Sequence, residues 1–121
     1  MSTKKPPRPS DQELTQLYNQ QKQELQALVS KVGELEKDKD EHTLVIETLD
    51  EVQTLDPDRK CFRLIGGVLV ESNVKDVLPA LKGNVDGISR LVTTLTGQYE
   101  EKEKQFEQWK KEYNIQVVNQ R

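Results

Sequence analysis

The chain has 121 residues, a mean hydropathy of −0.82, 33% hydrophobic and 32% charged side chains, and a formal charge of −3. That is too little apolar material for a thick globular core, yet its periodicity is too regular for a disordered chain; long helices with a narrow apolar seam satisfy both facts. Residues 1–10 hold Lys4, Lys5 and Arg8, leaving 15 basic against 21 acidic side chains elsewhere, an acidic body that lacks the basic face needed to grip phosphates.

Cys61 is the only cysteine, so no intrachain disulfide can form and a reducing compartment is expected. No run of apolar residues approaches the length of a membrane span. The amino terminus has charge but no apolar signal core, so a cytoplasmic location is expected.

Residues 1–9, MSTKKPPRP, are cationic and proline-rich and read as a disordered tail. Ser10 opens SDQE, and a serine three residues before Glu13 has the spacing of a helix capping box. A helix is therefore expected over 10–53. Its 4-3 seam runs through Leu14, Tyr18, Gln21, Leu25, Leu28, Val32, Leu35, Lys39, His42, Ile46 and Leu49. A sustained 3.5-residue period marks a coiled coil. LDPD should stop this helix, with a loop over 54–58, because Pro57 cannot continue it.

Residues 59–72 read as a β-hairpin. Gly66-Gly67 fits a two-residue primed turn, which pairs Ile65 with Val68, Leu64 with Leu69, Arg63 with Val70 and Phe62 with Glu71. Both faces of this ribbon are then apolar. Two strands alone are marginal in water, and their edges invite another strand. The hairpin therefore reads as an assembly module whose missing strands come from other subunits.

A second helix is expected over 73–114, capped by Ser72 or Asn73, with a seam of Val74, Leu78, Leu81, Val85, Ile88, Val92, Leu95, Tyr99, Lys102, Phe106, Trp109 and Tyr113. Pro79 should kink it, and residues 115–121 should fray. The helices must run antiparallel. The compatible register faces Leu49 with Leu78, Leu35 with Val92, Leu28 with Tyr99, Leu25 with Lys102 and Gln21 with Phe106.

His42 has no second ligand nearby and reads as a half-buried seam residue, while Lys39 and Lys102 can extend their ammonium groups out of the seam. No nucleophile–base set, phosphate loop or metal-spaced cluster is present, so neither enzyme activity, cofactor nor metal is expected. Heptads alone would favour a structural coiled-coil adaptor or tether without holding activity, against which only the doubly apolar hairpin speaks, and Lys4, Lys5 and Arg8 leave a weaker nucleic-acid reading.

The succession RKCFRLIGGVLVES and VKDVLPALK between two long helices resembles the prefoldin β-type subunit family, with EHTLVIETL and KEYNI most similar to its eukaryotic subunit 2 branch. The resemblance covers residues 11–116, and one hairpin rather than two implies the β type. It implies a mainly α fold, a long antiparallel two-helix coiled coil joined by one β-hairpin that contributes to an inter-subunit β-barrel. The implied assembly is a heterohexamer of two α and four β prefoldin subunits. Its implied function is ATP-independent holding of unfolded actin and tubulin for transfer to the cytosolic chaperonin, with no nucleic-acid or membrane partner. By the same resemblance, assembly falls on Cys61, Phe62, Leu64, Ile65, Gly66, Gly67, Val68, Leu69 and Val70. Client binding falls on the coiled-coil tips, at Leu14, Leu17, Tyr18, Phe106, Trp109, Tyr113 and Ile115.

Overall fold

A computed structural model describes residues 8–116; most of the expected basic tail and the end of the expected frayed segment lie outside the described residues. Four elements succeed one another: α1 (Asp11–Leu55), β1 (Lys60–Ile65), β2 (Val68–Asn73) and α2 (Val74–Glu112). The two helices lie antiparallel, and the hairpin closes one end.

Helix α1 begins where Ser10 leaves the helical backbone conformation and its Oγ accepts a hydrogen bond from the Glu13 N–H at 3.2 Å. The Ser10 carbonyl accepts the first intrahelical bond, from Leu14 N–H at 2.9 Å. The helix runs two residues past Gln53, to Leu55. It ends at Asp56, the residue before Pro57, whose φ of −154° is extended as a proline neighbour requires. The Arg59 N–H then donates to the Asp56 carbonyl at 3.2 Å, closing a tight turn with Pro57 in its second position.

The hairpin has the register read from the glycine pair: Ile65 faces Val68, Leu64 faces Leu69, Arg63 faces Val70 and Phe62 faces Glu71. Gly66 and Gly67 adopt φ of 55° and 82°, and positive φ at both central residues defines the primed turn that matches strand twist. Lys60 and Glu71 add an exposed cross-strand ion pair at 3.2 Å.

Strand β2 passes directly into α2. Asn73 is the last strand residue and also the helix cap, its Oδ1 accepting from the Asp76 N–H at 3.0 Å. Pro79 does not break α2, which is continuous to Glu112. Pro79 lies in the second turn, so the helix forgoes the bond its N–H would have made to the Lys75 carbonyl, and that single loss does not end it. The far end of α2 is capped rather than loose. The Asn114 N–H donates to the Lys111 carbonyl at 3.2 Å and the Ile115 N–H to the Lys110 carbonyl at 2.8 Å, with Asn114 at φ 51°. These two bonds across a left-handed residue form a Schellman turn. Ile115, the first residue of the end expected to fray, is thereby tied back to α2.

Every seam residue of α1 is at least partly covered, as is every one of α2 except Lys102. A two-helix coil leaves most of them half-buried, so each contributes roughly half of the 1.5–3 kcal/mol of full burial. Among the described residues, full burial is reached only at the two ends. Leu14 and Phe106 are buried at the open tip, and Val74, Val77 and Leu78 at the base. Val77 lies off the seam yet is equally buried, near the corner where the hairpin passes into α2. Two backbone bonds tie that corner: Val74 N–H to the Arg59 carbonyl at 3.1 Å, and Lys75 N–H to the Pro57 carbonyl at 3.2 Å.

Candidate interaction surfaces

The first surface is the hairpin. Phe62, Leu64, Ile65, Val68, Leu69 and Val70 are all exposed, Leu64 by 74%. Cys61, a free thiol, is half-covered. Leu64 and Leu69 share one face and Ile65 and Val68 the other, because paired residues project to the same side of a ribbon and neighbours alternate. Neither face is covered by the helices. A contiguous set of exposed aliphatic side chains of this kind makes the hairpin a candidate interaction surface.

Leu55, at the end of α1, is 86% exposed, and Leu44 and Val45 are exposed further along the helix. All three stand outside the 4-3 positions, so the seam does not account for them. For Leu44 and Val45 the signal is legible in EHTLVIETL, where apolar residues occur more densely than one seam requires.

The base corner next to the hairpin is held electrostatically as well. Lys75 Nζ lies 3.1 Å from Asp58 Oδ1. The hydrogen bond to Asp58, reinforced by that carboxylate's charge, raises the lysine pKa above its ordinary value. Further along the coil, Lys82 reaches Asp50 at 3.3 Å and Lys102 reaches Glu24 at 3.2 Å, each crossing from one helix to the other. Exposed pairs of this kind add little stability but favour one register. Lys102 thus carries its charge out of the seam. His42 turns back along α1, its Nδ1 2.8 Å from the Asp38 carbonyl oxygen.

The second surface is the open tip. Tyr18 of α1 meets Phe106 of α2 with ring centroids 5.4 Å apart; Phe106 stacks on Trp109 at 6.1 Å, and Trp109 meets Tyr113 at 5.9 Å. Four rings therefore form one ladder across both helices. Lys110 Nζ sits 4.8 Å from the centre of the Phe106 ring, and Lys22 Nζ 5.8 Å from that of Tyr18. Both are within cation–π range. Arg8 Nη2 donates to the Tyr113 carbonyl at 3.0 Å, a cation placed at the negative end of α2.

Of the tip residues singled out from sequence, Leu14 (4% exposed) and Phe106 (7%) are buried, and Tyr18, Trp109, Tyr113 and Ile115 are half-buried. Leu17 is exposed. Leu14 and Phe106 pack inside the tip, so access to them requires the tip to open.

Two long helices joined by a single hairpin that is apolar on both faces define a two-helix coiled-coil protein whose strand edges are uncovered. The family profile described as "Prefoldin subunit" matches residues 12–120, and the chain belongs to the prefoldin subunit family. Within that family the chain is similar to subunit 2 proteins. Prefoldin subunit 2 of Saccharomyces cerevisiae is 50% identical over 105 residues, covering 84% of this chain and 88% of the yeast protein. The probable prefoldin subunit 2 of Schizosaccharomyces pombe is 43% identical over 113 residues, covering 93% and 96%. Prefoldin subunit 2 of Rattus norvegicus is 46% identical over 101 residues and 84% of this chain, and the chain spans 64% of the length of that protein.

Among the described residues, no helix is long and apolar enough to cross a membrane.

Proposed function

We propose that the chain is a β-type subunit of a heterohexameric prefoldin, two α and four β subunits, acting as an ATP-independent co-chaperone in the cytosol. Its hairpin joins those of the sister subunits in a shared β-barrel, and the coiled coil projects as a free arm. The assembly holds unfolded chains such as actin and tubulin and passes them to the cytosolic chaperonin.

The observation that carries this reading is the exposure of the hairpin's six large apolar side chains on both faces. Burying each would contribute about 1.5–3 kcal/mol, a gain open only to an assembled ribbon. Strand edges supply the backbone donors and acceptors for the added strands.

On this proposal the tip performs the holding. Leu17, Tyr18, Trp109, Tyr113 and Ile115 offer first contact, and Leu14 and Phe106 become available as the last turns fray. Aromatic surface without a shaped pocket suits weak, sequence-tolerant capture.

The test is to mix the chain with candidate α and β subunits, measure the mass in solution, and assay aggregation of denatured actin without nucleotide. A hexamer that keeps actin unaggregated is the expected result. A stable lone dimer, or a hexamer without holding activity, would instead establish a structural tether. In the hexamer, Trp109→Ala with Tyr113→Ala should impair holding while leaving the mass unchanged.

A further inference from the structure

We propose that client segments are also held on the flank of the coiled coil, in an apolar groove centred on Val29 and Tyr99. This inference rests on the holding function proposed above and adds a site away from the tip. Two adjoining depressions share these two residues. One, of about 310 Å³, continues through Leu28, Val32 and Gly33 to Glu36. The other, of about 490 Å³, continues through Leu25 and Gln26 to Lys22.

Three features shape this flank. Val29 is 56% exposed, an aliphatic side chain outside the seam where charged residues are usual. Gly33 leaves open space, since a Cβ built there would meet nothing within 4 Å. Tyr99 lines both depressions, and Glu103 one turn further along α2 raises its phenol pKa through hydrogen bonding and its negative charge.

The occupant is deduced from length, charge and continuity. Lys22 and Glu36 stand about 21 Å apart along α1. That span accommodates about six residues of extended chain. Between those ends the lining carries no charge, so an apolar segment is favoured and a highly charged one is not. The positive end at Lys22 and the negative end at Glu36 complement an acidic residue before or after the apolar run and a basic one at its opposite end. Lys22 also lies over the Tyr18 ring, so the groove continues from the aromatic ladder of the tip. A chain caught at the tip can extend along this flank without crossing a charged barrier.

The test uses the assembled complex with p-benzoylphenylalanine in place of Val29, and with it in place of Lys37 on the outer face as control. The probe is reduced, carbamidomethylated α-lactalbumin, which stays unfolded. Photocrosslinking of the probe from position 29 and not from 37 is expected. Val29→Glu with Thr96→Glu should weaken probe binding about tenfold without changing the assembled mass. A complex that holds the probe but crosslinks position 29 only to a neighbouring subunit, or to nothing, overturns the groove alone. Unchanged affinity in the double variant does the same. A complex that fails to hold the probe at all overturns the holding function, and the groove with it.

Discussion

Tyr18 and Phe106, from opposite ends of the sequence, bring their rings to 5.4 Å and join the two arms at the tip farthest from the hairpin. The second arm's Phe106 and the first arm's Leu14 are the only fully buried residues at that end among those described. A coil with half-covered layers through its middle is therefore clamped at both extremities.

Phe106→Ala should remove the central rung of that ladder. Truncating a buried phenylalanine costs about 3 kcal/mol, and here the loss is local because the base has its own core. Amide hydrogen exchange should accelerate over residues 10–20 and 102–115 while the hairpin and the start of α2 keep their protection.

The hairpin turn gives a different kind of test. Gly66→Ala with Gly67→Ala forces two L side chains into left-handed backbone, at about 1 kcal/mol or more each. The cross-strand nuclear Overhauser contacts between residues 65 and 68 should weaken, and helical circular dichroism should be retained.

The two ends of α2 should respond oppositely to substitution. Asn73→Ala deletes the side-chain acceptor of the Asp76 N–H and should cost about 1 kcal/mol in thermal or urea unfolding. Asn114→Gly keeps the left-handed turn and relieves its strain, so it should be neutral or slightly stabilising.

The Lys75–Asp58 contact predicts an alkaline dependence. The folded state holds the lysine proton more tightly than the unfolded chain does. Its contribution is therefore complete below the ordinary lysine pKa and is lost as pH rises through the higher folded value. The decline in stability on that limb should be shallower in Asp58→Asn, measured by urea unfolding across the alkaline range.

Much of this architecture is legible in residue spacing. The 4-3 pattern locates both seams, including the half-buried Lys39 and His42, because a two-helix coil imposes one period throughout. The glycine pair sets the strand register, since a two-residue turn leaves the paired strands no freedom to slip. Leu28, Val32 and Tyr99 do line one groove, consistent with the Leu28–Tyr99 layer. The seam register sets Phe106 opposite Gln21, but its ring contacts Tyr18, the next seam residue, because aromatic contact outweighs ideal layering. Val77 escapes a periodic reading because it is buried outside the 4-3 positions, near the corner where β2 passes into α2. The closing turn at Asn114 leaves only a faint signature, an asparagine followed by isoleucine. At the tip, the sequence identifies the aromatic residues but not their stacking on one another, which depends on side-chain direction.

Asn73 belongs to strand and helix at once, with no intervening residue, whereas α1 reaches the hairpin through Asp56–Arg59. The two arms are thus mounted differently. Torque applied to the ribbon passes straight into α2, whereas α1 receives it through a short coupling. Any swing of the limb relative to an anchored ribbon must then be absorbed by bending within α2, where Pro79, Gly83 and Gly87 supply the compliant stretch.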